Sequence, residues 1–368
     1  MPDSLSSAPQ SLPPVTDWKE KVLEYQKPSL WRAVWQLTNS IGLYALLWYL
    51  AYRSLTVSHW LSLLFATLAA GVLLRVFIIF HDCGHGSFFK SKTANDVVGF
   101  ITGLLTLTPY HHWRWEHSVH HATSGNLDKR GMGDIWTLTL QEYLNGSRWL
   151  RLQYKLARNP IILFVVAPLF VFVVYQRFPD RNANSRERWS VYWMNLAIVG
   201  VAVGMSAWMG FQTYLVIQLF ITAVASGAGI WMFYVQHQFD DTHWERGEEW
   251  DYTAAALRGS SFYKLPKILQ WFTGNIGFHH IHHLSSRIPN YNLARCHREL
   301  SVMQEVKPIT MWSSLKSLSL RLWDEEQKRL VGYREMRTKR RELKKAALAA
   351  GLDELRRTHR HGGTGGKA

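Results

Sequence analysis

Apolar and polar positions fall in long blocks along this chain. The longest apolar block is WLSLLFATLAAGVLLRVFIIF, Trp60–Phe80, interrupted only by Arg75. At ~1.5 Å rise per residue it covers roughly 30 Å, the thickness of a bilayer's hydrocarbon core. It runs into His81-Asp82-Cys83-Gly84-His85. A predicted membrane span therefore ends on two histidines one helical turn apart, on one face. Arg75 lies about 9 Å below His81, and its long side chain is expected to reach for the water interface.

The other blocks build an architecture around this span. Ala33–Tyr52 precedes it across a short linker, so the two are expected to run antiparallel. Val191–Met209 and Tyr214–Tyr234 read as two further spans, the second delivering His237 to the cytosol. Val97–Pro109 is short for a crossing and suits a re-entrant or interfacial segment. The run Asn159–Phe178 holds Pro168 midway, and the loop after it carries Arg177, Arg181, Arg186 and Arg188. The positive-inside rule keeps that loop cytosolic. Residues 161–176 are accordingly expected to form a hairpin that dips and returns. Four crossings then leave both termini and every histidine cluster on the cytosolic side; six crossings, with the 161–176 run spanning, is the alternative.

The expected fold class is all-α: a polytopic membrane protein with about four transmembrane helices, re-entrant or interfacial segments, and a cytosolic helical cap. Residues 111–160 and 250–335 supply the cap. Residues 17–30 read as an amphipathic helix on the membrane surface, and 334–360 as a basic surface helix. The expected divisions are a flexible or amphipathic segment at 1–30, a membrane domain with its cap at 31–325, and a basic helix with a loose tail at 326–368.

Composition refines this picture. The net charge is +15, with 18 Trp and 15 Tyr that suit interfacial aromatic belts. Given the spans, the positive charge points to anionic lipid and acidic redox proteins, not to nucleic acid. The two cysteines, Cys83 and Cys296, give no disulfide framework. Cys83 reads as a small residue packed near the histidines. The first 30 residues hold no signal-peptide core, and no dinucleotide fingerprint or internal repeat is present.

Seventeen histidines are present, and eight of them fall into three spaced clusters. These are His81 and His85; His117, His120 and His121 in HSVHH; and His279, His282 and His283 in HHIHH. The HxxHH spacing puts all three rings of a cluster on one helical face. Neutral imidazoles with few carboxylates disfavour magnesium or calcium. A structural zinc site needs four ligands, often including Cys. Eight imidazoles favour a dinuclear redox metal, with iron the leading choice. Asp82, Glu116, Asp240, Asp241 and Asn275 are candidates to orient the rings. His280 is off the spacing, His111 and His112 precede the second cluster, and His59, His243 and His297 stand apart.

HDCGH, HSVHH and HHIHH resemble the three histidine boxes of the membrane fatty-acid desaturases. IIFHDCGHGSFF, HHATSGNLDKRGMGDIW, FYVQHQFDD and SSFYKLPKILQWFTGNIGFHHIHHLS extend the resemblance, in particular to bacterial acyl-lipid desaturases of the cold-induced Δ5 type, over about residues 35–325. The resemblance implies two non-haem irons held by His81, His85, His117, His120, His121, His279, His282 and His283, with His237 as a further ligand. It implies O2-dependent insertion of a cis double bond into the acyl chain of a membrane lipid. It also implies a narrow acyl tunnel, and an electron donor such as ferredoxin or flavodoxin. The expected location is the cell membrane, with the boxes and both termini cytoplasmic. The rivals are a hydroxylase or ketolase on the same scaffold, and a metal transporter. Transport sites normally lie near the bilayer midplane, whereas these clusters sit at span ends and in the cap.

Overall fold

The computed structural model describes residues 15–342 and, beyond them, 345, 346 and 348. The tail expected at 1–14, much of the basic helix expected over 334–360, and the glycine tail lie outside the described residues. Helices α1 (Val15–Val22), α2 (Leu30–Ser54), α3 (His59–His85), α4 (Lys92–Leu105) and α5 (Tyr110–Thr123) open the fold. Then come α6 (Leu140–Asn145) and α7 (Arg148–Ala157), followed by a helical run, Ile162–Arg177, whose middle is α8 (Ala167–Val173). The last long helices are α9 (Ser185–Met209) and α10 (Phe211–His237). The cap is completed by α11 (Tyr252–Arg258), β1 (Phe262–Lys264), α12 (Lys267–Phe272), α13 (His279–Leu284) and α14 (Asn290–Glu299). β2 (Pro308–Thr310), β3 (Leu322–Asp324) and β4 (Arg329–Val331) follow. Among the described residues the strands form only two pairs, β1–β2 parallel and β3–β4 antiparallel, so the protein is all-α in class.

Among the described residues three helices, α3, α9 and α10, are long and apolar enough to cross a membrane. α2 is as long as α9, but Gln36, Thr38, Asn39 and Ser40 interrupt its apolar run. Gln36 and Ser40 are buried inside the bundle, not turned to lipid. α2 therefore joins the bundle with its polar positions satisfied internally. α3 is the hub: it packs against α2, α4, α5, α10, α12 and α14. Ala66, Ala69 and Ala70 are fully or nearly buried in its contact with α2 and α10, where small side chains let backbones approach. The helix runs on through the first histidine pair and stops at Gly86. That residue adopts φ 68°, a left-handed cap that glycine reaches without a Cβ clash.

Several expectations change on folding. Arg75 does not reach for the interface; it is buried. Its Nε donates to Ser40 Oγ at 3.1 Å, Nη1 donates to the Trp271 carbonyl, and the guanidinium lies 4.3 Å from the Trp271 ring centre. A cation inside the bundle thus ties α2 and α12 to α3, because acceptors within the protein replace water. The 161–176 run is one continuous helical stretch with no turn in its middle, bent 59° from α7. The missing Pro168 N–H is accommodated by a wider π turn, Ile162–Val166, just before it. α1 is not a free surface helix either. Trp18, Val22 and Tyr25 pack into the cap core with Ile288, Leu293 and Cys296. Arg295 pairs with Glu24 at 2.5 Å, and Asn292 donates to the Tyr25 carbonyl. The division expected at 325/326 cuts the β3–β4 pair, and Leu330, Val331 and Met336 are buried in the cap.

Replacing Arg75 by Met leaves the Trp271 carbonyl and the Ser40 hydroxyl without this donor. The expected cost is about 1–3 kcal/mol. Thermal unfolding of the purified protein in detergent should show a lower midpoint; an unchanged midpoint contradicts the pinning role.

Candidate metal centre

Each histidine cluster reaches the centre because its spacing matches its helix. His81 and His85 close α3, and His117, His120 and His121 line one face of α5. His237 is the last residue of α10, and His279, His282 and His283 sit on the six-residue α13. α13 is too short to hold itself. It is fixed by the extended segment before it, where Tyr263 N–H donates to the Gly277 carbonyl at 2.7 Å and His280 N–H to the Ser261 carbonyl at 3.3 Å.

All nine rings converge. One nitrogen each from His81, His85, His117, His121 and His282 forms a group within 4.8 Å, and His120, His237 and His283 form a second. His279 joins the second: its Nε2 is 3.0 Å from His237 Nε2, and its ring centre is 4.5 Å from that of His283. The groups abut where His121 stacks on His283, with ring centres 4.2 Å apart. His121 Nε2 lies 3.1 Å from His117 Nε2 and 3.0 Å from His282 Nε2.

This packing leaves polar atoms stranded. His81, His85, His120 and His283 at Nε2, and His121, His279 and His282 at Nδ1, are buried without a hydrogen-bond partner. Stranded nitrogens of this kind cost about 1–3 kcal/mol each in a dry interior. A bound cation satisfies inward-facing nitrogens as no proton arrangement does, because two facing nitrogens share at most one proton. Burial, reinforced by the neighbouring imidazoles, pushes His117, His121, His279, His282 and His283 well below the usual histidine range. They are neutral donors, the form that ligates metal. The residues present fit a metal site.

Carboxylates hold some rings from behind. Asp82 Oδ1 lies 3.1 Å from His81 Nδ1. Its Oδ2 accepts from Asn290 N at 2.6 Å and Nδ2 at 2.8 Å. Gln36 Nε2 in turn donates to Asn290 Oδ1 at 3.0 Å, carrying the chain of bonds back to α2. Asp134 Oδ1 lies 2.6 Å from His120 Nδ1, and its Oδ2 accepts from Gly131 N. Gly133 adopts φ 70° and packs so close to His120 that an added Cβ would lie 3.1 Å from the His120 Cβ. Arg158, buried, donates to Gln238 Oε1 at 2.8 Å and to the Leu320 carbonyl at 3.1 Å, fixing the residue after His237.

The other candidates lie elsewhere. Asp240 pairs with Lys316 and Asp241 with Lys307 on the surface, facing away from the histidines. Asn275 occupies a turn before α13, at φ 60°, and donates to the Asn290 carbonyl, so it shares no helical face with His279. Glu116 turns toward His112 and Gln176; burial, with Asp180 nearby, raises its pKa to about 7. His280 bonds the Met303 carbonyl and His297 packs on Phe262, apart from the cluster. His111 lies beside Arg186, and His59 is exposed at the far end of α3. Cys83 is buried among Ile79, Phe80 and Tyr110 and belongs to neither histidine group. Asp134, Asn290, Gln36 and Arg158 were not anticipated from the sequence. No spacing rule joins Asp134 to a ring fourteen residues away, or Asn290 to a carboxylate 208 residues before it.

Beside the histidines lies a cavity of about 690 Å³ lined by His81, His117 and His279. Its wall along α10 runs from Thr222 to Gln236, about 21 Å at 1.5 Å per residue. Leu73, Leu74, Phe77, Phe172, Ile230 and Phe233 make much of it apolar.

Comparison with known proteins agrees with this geometry. The fatty acid desaturase family model matches residues 58–314. A fatty acid desaturase of Bacillus subtilis (strain 168) is 48% identical over 86% of this chain and 90% of its own length. The sn-1 acyl-lipid omega-3 desaturase (ferredoxin) of Synechocystis is 28% identical over 77% of each chain. The acyl-lipid omega-3 desaturase (cytochrome b5), endoplasmic reticulum, of Arabidopsis thaliana is 27% identical over 66% of this chain and 65% of its own.

Asp134→Asn is expected to weaken metal binding by about 10–100-fold, the usual effect of losing a carboxylate behind a ligating imidazole. Asp240→Asn should leave it unchanged. Metal titration of the two purified variants checks this, and equal affinities would contradict the role given to Asp134.

Proposed function

The chain belongs to the fatty acid desaturase family, and from this premise we propose that the nine converging histidines hold two non-haem irons. It is a membrane enzyme that introduces a double bond into a fatty acyl chain. One observation carries the iron reading: nine imidazoles gather in two adjoining groups against an apolar cavity. The proposed ligands are His81, His85, His117, His121 and His282 in one group, and His120, His237, His279 and His283 in the other. Nitrogen donors without cysteine suit a redox-active first-row metal such as iron.

Bound there, iron supplies the O2-dependent oxidation that acid–base side chains lack, because the methylene C–H bonds of an acyl chain are barely acidic. The balance is complete when the –CH2–CH2– pair loses two hydrogens, and O2 takes these, two further electrons and two protons to give two waters. The chain's own residues position and shield. Leu73, Phe77, Phe172 and Phe233 make the cavity a dry channel that presents one carbon pair to the histidines. Asp82 and Asp134 hold the rings of His81 and His120.

The two electrons come from a separate protein, which we propose to be ferredoxin or flavodoxin. Two relatives carry ferredoxin or cytochrome b5 in their names, and the net charge of +15 here suits an acidic donor. The substrate is proposed to be a lipid-bound acyl chain in the cell membrane, with the histidines and both termini on the cytosolic side. The proposed core runs from about Trp18 to Met336, since both flanks of 31–325 pack into the cap. The relatives are desaturases, so a hydroxylase or ketolase reading has no support.

Expression in a host that lacks unsaturated lipids, with fatty-acid profiling, tests the proposal. The expected product is lighter than its parent by two mass units; a gain of sixteen would indicate hydroxylation. His120→Ala should insert into the membrane yet make no product, and full turnover by this variant would remove His120 from the ligand set.

A further inference from the structure

The cavity is not apolar throughout. Where α5 meets the turn after α8, its lining changes to Glu116, Tyr175, Gln176 and Asp180. Tyr175 is 47% exposed, so this corner opens outward. Every group the corner offers, apart from the Tyr175 hydroxyl and the Gln176 amide nitrogen, is an acceptor. The Gln176 side chain lies beside Glu116 and favours its ionised form. Its Oε1 is buried in a residue only 5% exposed and has no partner. Asp180 Oδ1 accepts from Asn182 N at 2.8 Å, and Asp180 lies close enough to repel charge on Glu116. Among the described residues no Lys or Arg lines this cavity, and neither carboxylate pairs with one.

Two carboxylates and a stranded carbonyl oxygen are short of a donor. The chain supplies Asn182 N–H to Asp180, and the Gln176 side chain and the His112 ring, 3.7 Å away, to Glu116, but no Lys or Arg, although arginines are plentiful nearby: Arg177 is turned to Asn195 and the Leu107 carbonyl, and Arg188 to the carbonyls of Ala183 and Arg181. This inference rests on the desaturase reading. We infer that the corner receives the amine of a zwitterionic phospholipid headgroup, so that the enzyme draws acyl chains from aminophospholipid in preference to anionic lipid or acyl-CoA. An ammonium brings the positive charge that no Lys or Arg gives Glu116 and Asp180, and an N–H donor for Gln176 Oε1. The phosphates of CoA, or a headgroup with negative charge alone, would face like charge with no basic residue on the cavity wall to offset it. The headgroup is thereby selected at the cavity's polar corner while the acyl chain lies along its apolar wall.

The test uses the purified full-length enzyme with its iron and an electron-donor system, in vesicles holding equal amounts of phosphatidylethanolamine and phosphatidylglycerol with identical acyl chains. Intact-lipid mass spectrometry reads the desaturated product in each headgroup class. The ethanolamine lipid should be favoured about tenfold, the ratio a single charge-assisted hydrogen bond can supply. In Asp180→Asn and Gln176→Leu that ratio should fall toward one. A wild-type ratio near one, a preference for the glycerol lipid, or faster turnover of acyl-CoA overturns the inference, and so do variants that keep the wild-type ratio. The wild-type ratio alone decides if either variant fails to fold. No product from any lipid would instead overturn the desaturase reading beneath it.

Discussion

The arrangement depends on one electrostatic constraint. Nine imidazoles are packed together, and seven keep a ring nitrogen that no protein group satisfies. Protons cannot repair this, since burial and mutual repulsion keep His117, His121, His279, His282 and His283 neutral. A cation inside the cage serves the stranded Nε2 atoms of His81, His85, His120 and His283 and the facing Nε2 atoms of His117, His121, His237, His279 and His282. Metal binding and the stability of this part of the fold are therefore coupled, because ligands come from four helices that an empty site leaves poorly partnered.

The rest of the molecule brings those helices to one place. α3 carries the first pair and touches α5 and α10, which bear other ligands, and α2 and α14, which support His81. Buried polar contacts fix its neighbours: Arg75 ties α2 and α12 to it, and Gln36 and Asn290 run from α2 to Asp82 and so to His81. Arg158 does similar work at the end of α10. Such bonds are directional, so they set register where greasy helix faces alone would slide. The cavity beside the histidines follows from the same packing, since α3, α8 and α10 form its apolar walls.

What could be read from the chain was local and periodic. Long apolar blocks gave the spans, and the HxxxH and HxxHH spacings gave three faces whose rings meet in space. His237 was identified through family resemblance, and its place at the end of α10 puts it against His279. What escaped was long-range. Asp134, Asn290 and Arg158 act across sequence gaps that no period encodes. Neighbourhood in sequence misled for Asp240 and Asp241, which follow His237 closely but lie past the helix end and turn to surface lysines. Arg75 was misplaced because reach toward water is the default for a long cation in a span, and only the folded bundle reveals acceptors within it.

We propose that rings from both halves of the chain form one cage for two irons. Metal analysis of purified protein that is active with an electron donor addresses it most directly. Two irons per chain are expected; active protein carrying zinc alone, or a single metal ion per chain, would rule the shared cage out.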